Sequence, residues 1–414
     1  MVLIAVLGWV VLAVVVLTGR RAGLLPFALA FTVLQQILFA TVPDSAFVTF
    51  RYAENIAAGH GAVFNVGERV EGYANFVWLV LVSLPKAMFG TDVVTGAVVL
   101  SVACTLGCVL LAHKFHPLAA VLMAAVSGLA AYEGAGTETP LFVLLVLAVL
   151  YAVRTGHPVA AGVFAALATM TRPDGAALGV VVVIFLLAGA ARRWWNWWAP
   201  VGFTLGWLVF VVPWLAWRAT YYNQPFTTWP DVQPPYKFLL AALLTVAVPV
   251  LLQRRRKPSP TPRPVAPVWA RTAAVVLAAV SVPVALFGRP EVLEHRTRQA
   301  QTEELGAWLA AGLPVGASVD TGVGILAYGL GSQFLITDTD NHPSVWRPAL
   351  ATSNTFGYSA TQQCVSEDAA YTPATFRHLV SGGWVTVYAR DDEAPMLIRR
   401  LSTDPSLVYV PCPR

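Results

Sequence analysis

Four polar stretches, set between long hydrophobic runs, carry the residues of this chain that could do chemistry. The first, PDSAFVTFRYAENIAAGHGAVFNVGERVEGY from Pro43 to Tyr73, holds Asp44, Arg51, Tyr52, His60 and Glu71. The others are GAGTETPL at 134–141 with Glu138, TRPDG at 171–175 with Arg172, and WRATYYNQPFTTWPDV at 217–232 with Arg218. A carboxylate can take a proton from a hydroxyl, and a guanidinium presents paired N–H donors that suit a phosphate. Each residue also has a plainer role. Asp44 follows a proline and precedes a helical pattern, so its carboxylate fits a helix N-cap. Glu138 fits a cap on a helix that starts at Pro140. Arg172, at a break before Pro173, and Arg218, after a hydrophobic run, fit arginines that snorkel to lipid headgroups. His60 lies between two glycines as a turn residue would, although the ordinary pKa of imidazole also suits proton transfer. No cluster has metal-ligand spacing and no nucleotide-binding glycine motif occurs. No cofactor is evident, and a divalent cation has no support in the sequence.

The elements that position these residues are membrane helices. Of 414 residues, 57% are hydrophobic and 12% charged, with a mean hydropathy of +0.64, which excludes an ordinary soluble domain. Hydrophobic runs at 2–18, 24–41, 93–112, 117–131, 140–153, 159–171, 175–190, 199–217, 238–252 and 268–287 predict about ten spans, the first retained because it lacks a basic leader and a cleavage site. The Trp-rich run RRWWNWW at 192–198 suits a membrane interface. Residues 46–57 form an amphipathic pattern that Gly59 stops, as in helices lying on a bilayer surface.

The run 74–89 decides the topology. Counted as a span, it splits the basic loops between both faces; read as interfacial or re-entrant, it leaves Arg20, Arg21, Lys114, Arg154, Arg192, Arg193 and the block 254–257 on one face, as the positive-inside rule asks. All nine acids of residues 1–287 then face the opposite, external side, which a functional surface would explain. The predicted organisation is a transmembrane domain at 1–287 with a first external loop at 42–92, followed by an external domain at 288–414. Within the first part, 258–267 is a Pro-rich connector. Alternation in GASVD, QFLIT and WVTVYA, with helical patterns at 291–311 and 373–380, makes the second part a small α/β domain. Residues 1–287 hold 18 basic and 9 acidic side chains and 288–414 hold 9 and 13, so the basic excess belongs largely to the cytoplasmic loops and the net +5 is no sign of nucleic acid. Cys104 and Cys108 fit packing on one helix, whereas Cys364 and Cys412, outside the membrane, could form a disulfide.

The stretch DSAFVTFRYAENIAAGHGAVFNVGERVEGYANFVW resembles the signature of GT-C glycosyltransferases, multispanning enzymes that use lipid-linked sugars. The resemblance continues in GTETPL, TRPDG and the Tyr-Tyr loop, and within the class it is similar to cell-wall arabinofuranosyltransferases that use polyprenyl-phosphate arabinose. It implies a mostly α, GT-C-like bundle with interfacial helices in the plasma or inner membrane, and an inverting transfer from a polyprenyl-phosphate sugar to a cell-envelope glycan or lipid on the outer face. Asp44 would be the general base. Arg172 first and Arg218 second would stabilise the leaving phosphate, and Glu138 and Glu71 would bind sugar hydroxyls, with Arg51, Tyr52 and His60 also in the donor and acceptor site. Two departures stand out: Ser45 replaces the second of two acids usual at the loop start, and PFTTWPDV replaces the usual Asn-Thr and terminal Lys of the Tyr-Tyr loop. The loss of that acid leaves an impaired, lipid- or glycan-binding relative as an alternative. A transporter, which would want charges near the membrane midplane, is the other.

Overall fold

The computed structural model describes residues 24–132 and 135–223, then residues 318–320, 324–337, 355–359, 371–378, 384–390 and 407–412, with isolated positions near them. The helices of the first part are α1 (Leu24–Phe39), α2 (Ala46–Ala57), α3 (Phe76–Phe89), α4 (Val93–Phe115), α5 (Pro117–Tyr132), α6 (Thr139–Arg154), α7 (Pro158–Thr171), α8 (Asp174–Ala191) and α9 (Trp198–Tyr221). By length and composition, α4, α8 and α9 are long and apolar enough to cross a membrane, and α1, α5, α6 and α7 are shorter apolar helices. The expected spans at 2–18, 238–252 and 268–287 fall outside the described residues, apart from a single helical position at Leu243.

Local chemistry sets the breaks. Asp92 caps α4, its carboxylate accepting from the Thr95 N–H at 2.8 Å. Gly90, at φ 67°, closes α3 in the left-handed region. Arg172 is extended ahead of Pro173, as the residue before a proline prefers, and so ends α7. From α4 onward the helices run up and down, so residues 42–92, 135–138, 172–174 and 218–223 gather at one end of the bundle. Lys114, Arg154, Arg192 and Arg193 lie at or near the turns of the other end.

Packing is closest between α7 and α9, where small residues let the backbones touch. A Cβ on Gly162 would stand 2.1 Å from the Phe203 carbonyl oxygen, and one on Gly206 would stand 2.4 Å from that of Val159. Gly202 and Gly206 have the spacing of small residues at membrane helix crossings. Above the seam, the Trp207 indole donates to Thr169 Oγ1 at 3.0 Å. The outward faces of α8 and α9 carry exposed Val181, Ile184, Leu205 and Val209, as suits a lipid-facing surface.

The 14 residues of α3 make roughly 21 Å of helix, short of the ~30 Å hydrocarbon layer. Its buried Trp78, Leu79 and Val82 belong to the core shared with α2 and α4, and the Trp78 indole donates to the Gly136 carbonyl at 3.1 Å. The packing suits the surface placement expected for 74–89, whereas length does not separate α3 from the equally short α7.

The C-terminal part forms a mixed sheet of β1 (Ser318–Asp320), β2 (Leu335–Thr337), β3 (Thr355–Ser359), β4 (Tyr371–His378), β5 (Trp384–Arg390) and β6 (Leu407–Tyr409), in the order β2-β1-β3-β5-β4-β6. β1 runs parallel to β2 and β3, and the remaining pairs are antiparallel. A short helix, α10 (Ile325–Leu330), connects β1 to β2. The strands expected in GASVD, QFLIT and WVTVYA are present, and the described positions within 291–311 are helical. The helix expected at 373–380 is instead strand β4. Pro373 and the basic pair Arg377–His378 imitate helix-end signals, but pairing with β5 on one side and β6 on the other wins. Cys412 is disulfide-bonded; Cys364 lies outside the described residues. Cys104 and Cys108 are free thiols within α4, as packing residues would be.

The sheet does not have a separate core among the described residues. Ile325, Leu326, Leu330, Phe334, Ile336 and Phe376 join one buried cluster with Phe47, Phe50 and Phe64 of the first loop. Fully burying such side chains is worth ~1.5–3 kcal/mol each. Apolar area therefore holds the two parts together.

Candidate active site

Asp44 sits at the reversal between α1 and α2 and is exposed. It does not cap its own helix through its side chain: Ser45 occupies the N-cap of α2 and makes no side-chain cap bond, so the capping expected of Asp44 is corrected. Its Oδ1 accepts instead from the Ile325 N–H, 281 residues away, at 2.8 Å.

A second node joins three of the four polar stretches. Glu138 precedes α6 without capping it by its side chain, which corrects the cap expected there too. One oxygen accepts from Arg172 Nη1 at 2.7 Å and the other from the Asn75 amide at 3.0 Å. Asn75 in turn bonds Thr49 of α2, and Arg172 Nη2 reaches Asp174 at 3.4 Å. Arg172 is 3% exposed and lies over the Phe142 ring, so it does not snorkel. A buried guanidinium is costly without a partner, and Glu138, itself 15% exposed, supplies it.

The third node pairs Arg218 Nε with Glu71 at 2.6 Å, the side chains 12% and 3% exposed, with the guanidinium over Trp214. Tyrosines surround it. Tyr52 donates to the Val70 carbonyl at 2.8 Å and accepts from the Gly72 N–H at 2.9 Å, holding Glu71 between two fixed peptides. Tyr73 and Tyr222 share a hydroxyl bond of 2.9 Å, and Tyr222 also donates to the Ala62 carbonyl. Burial pushes the Tyr52, Tyr73 and Tyr222 hydroxyls up from their ordinary range, so they remain neutral donors. Arg69, on the exposed rim, stacks over Tyr221 at 4.9 Å.

The two arginine nodes are linked by the segment from Glu71 to Asn75, whose four steps span at most about 14 Å. Thr49 and Tyr52 lie roughly 8 and 12 Å along α2 from Asp44. The result is a base-like carboxylate and two carboxylate-held guanidinium groups at one end of a membrane bundle, a set able to activate a hydroxyl and stabilise a developing phosphate charge.

The sequence matches no family model, and no curated protein matches it. Among solved structures the chain is similar to ArnT from Cupriavidus metallidurans, whose crystal structure has undecaprenyl phosphate bound: TM-score 0.51, 13% identity, over 90% of this chain and 99% of that one. The chain has an ArnT-like fold. The mostly α membrane bundle expected from the sequence is therefore borne out, and the protein is a multi-pass membrane protein.

Within the ArnT-like fold the expected site residues divide. Tyr52, Glu71, Glu138, Arg172 and Arg218 converge in the two nodes. Arg51 lies elsewhere: 2% exposed, it donates through Nε to the Phe64 carbonyl at 2.9 Å and through its terminal nitrogens to the carbonyls of Ala327 and Phe334. Burial pushes its pKa down to about 10, still well above neutrality, so it remains a cation held by carbonyl oxygens. His60 is exposed on the turn closing α2, its N–H returning to the Asn55 carbonyl at 2.9 Å between positive-φ Gly59 and Gly61. Sequence reading missed Asn75, Tyr73, Tyr222 and Gly324. Tyr73 and Tyr222 stand inside motifs singled out for their charges or their Tyr-Tyr pair, but neutral polar residues there carry no period that would mark them.

Proposed function

We propose that this protein is an inverting membrane glycosyltransferase that takes a sugar from a polyprenyl-phosphate donor. The observation that carries this reading is the gathering of Asp44 and the two buried arginine–carboxylate pairs at one end of an ArnT-like bundle. ArnT itself is seen with undecaprenyl phosphate bound, a lipid phosphate of the kind such a donor would leave behind. The acceptor hydroxyl gives its proton to Asp44 as its oxygen attacks the anomeric carbon. The new C–O bond forms opposite the breaking bond to phosphate, and the polyprenyl phosphate departs as an anion. It needs positive charge rather than a proton, which Arg172 and Arg218 provide. Glu138 and Glu71 hold those guanidinium groups in place before the donor arrives.

The likeness of residues 44–73 to arabinofuranosyltransferases makes arabinofuranose the first sugar to test, with a cell-envelope glycan or lipid as acceptor on the outer face. Asp44→Asn tests the reading. Membranes carrying this variant should transfer labelled sugar from polyprenyl-phosphate arabinose at least ~10²-fold more slowly than the parent, the usual scale of general-base help. Full transfer by a well-folded variant removes Asp44 as base, whereas no transfer by the parent protein itself leaves a lipid-binding relative as the better description.

A further inference from the structure

We propose that the C-terminal unit is a working part of the transfer site, with Gly324 as a positioning residue that lets the Gly324–Ile325 turn close on the Asp44 carboxylate. The inference rests on the reading of Asp44 as base. Its geometric part stands without that reading.

The turn and the carboxylate fit too closely for any side chain between them. A Cβ on Gly324 would lie 1.8 Å from Asp44 Oδ2 and 2.2 Å from Cγ and Oδ1, while the next peptide N–H donates to Oδ1. This bond restrains the carboxylate's rotation, yet Asp44 stays exposed, so lone pairs remain for an acceptor hydroxyl.

The C-terminal unit meets the first part of the chain on both sides of Asp44. Upstream, Arg296 donates to the Ala40 carbonyl at the C-terminal end of α1, at 3.1 Å from Nε and 2.8 Å from Nη2. Downstream, Arg51 grips the Ala327 and Phe334 carbonyls, and Tyr328 packs on Phe47 and Phe50 and donates to Glu54 at 3.2 Å. The Asn65 side chain pairs with the backbone of Ile336 as a strand would, accepting its N–H at 3.1 Å and donating to its carbonyl at 3.0 Å. Each neutral bond of this kind contributes little by itself. Their number and direction fix a register that apolar burial alone would leave loose. A displacement of about 1 Å in a catalytic group can cost ~10²-fold in rate. Both ends of the chain therefore assemble the base.

Two measurements on the full-length protein decide it. In membranes, Gly324→Ala should lower kcat for transfer 10- to 100-fold while KM for polyprenyl-phosphate arabinose stays within twofold, because the bonds that hold the two arginine nodes run to Glu138, Asp174 and Glu71 and not through Asp44. An unchanged kcat, or a rise in KM alone, overturns the proposal. The second is hydrogen exchange, which needs no activity and no folded Gly324 variant. Asp44→Ala should speed exchange across 324–330 and leave 384–390 unchanged, whereas unchanged exchange at 324–330 shows that the tie does not exist. If exchange responds while Asp44→Asn keeps full transfer, the tie stands and the base role fails, so the two ideas fail separately.

Discussion

A guanidinium 3% exposed in the end of a membrane bundle must be held by something, and at Arg172 the holder is Glu138, with Asp174 at longer range. The pairing decides how Arg172 can serve a phosphate. A planar fork already oriented by a carboxylate binds a second anion without first losing its own rotamer freedom. Arg172→Ala should therefore weaken undecaprenyl phosphate binding about 10- to 100-fold, the size of ~1.5–3 kcal/mol for a bond to a charged group. Arg172→Lys should recover only part of this, since a point charge cannot reproduce the fork. Binding of labelled undecaprenyl phosphate to detergent-solubilised protein measures it, with a melting curve to show that the fold survives. An equal loss of acceptor affinity would count against the phosphate role. At this scale the residue types were readable from sequence and their partners were not. Glu138 and Arg172 are 34 residues apart, and only the packing of α6 against α7 brings them together; each looked like a helix-end residue when read alone. Arg51 shows the converse, because a cation in a motif looks like a ligand contact until its partners prove to be carbonyls.

Among the elements, α7 and α9 meet through glycine and α2 meets the C-terminal sheet through polar side chains, so the two contacts should answer differently to substitution. At the α7–α9 seam the obstacle is backbone: any side chain at Gly206 runs into the Val159 carbonyl. Gly202 faces side chains rather than backbone: Val159 Cγ2 at 3.2 Å, Trp198 Cε2 at 3.5 Å and Pro158 Cγ at 3.6 Å. Gly206→Leu should lower stability by about 1–3 kcal/mol, the usual cost of overpacking, and Gly202→Ala much less. Thermal unfolding in one detergent compares them directly, and equal melting temperatures would refute the seam as the tight contact. Hydropathy located the helices α1 and α4 to α9 well because a long apolar run offers one dominant signal. It misread β4 because an eight-residue strand paired on both edges owes its state to neighbours, β5 and β6, that no local pattern reveals. The register of α10 on α2 was equally out of reach, since it depends on single polar contacts at Asp44, Arg51 and Asn65.

For the whole molecule, the contacts between the C-terminal sheet and the first loop place both at the same end of the bundle, opposite the turns at 154–158 and 192–197. That relation is geometric, whereas the side of the membrane each end faces is set by charge. Lys114, Arg154, Arg192 and Arg193 lie at or near the far end, and the positive-inside rule assigns that end to the cytoplasm. We propose on that rule that the site end, which carries Asp44, Glu71, Glu138 and Asp174, opens outward, where a polyprenyl-phosphate sugar already flipped across the membrane would present its head. Single cysteines test both statements in intact cells, against a background of two thiols within α4 and a disulfide-bonded Cys412. Thr91→Cys and Ser402→Cys, both exposed, should react with a membrane-impermeant maleimide from outside. Trp197→Cys, exposed on the opposite turn, should react only after permeabilisation. Labelling of Thr91→Cys and Ser402→Cys from opposite sides would break the geometric relation and with it any role of the C-terminal unit at Asp44. Reversal of all three together would keep the relation and invert the orientation, so the donor would have to be met on the cytoplasmic face.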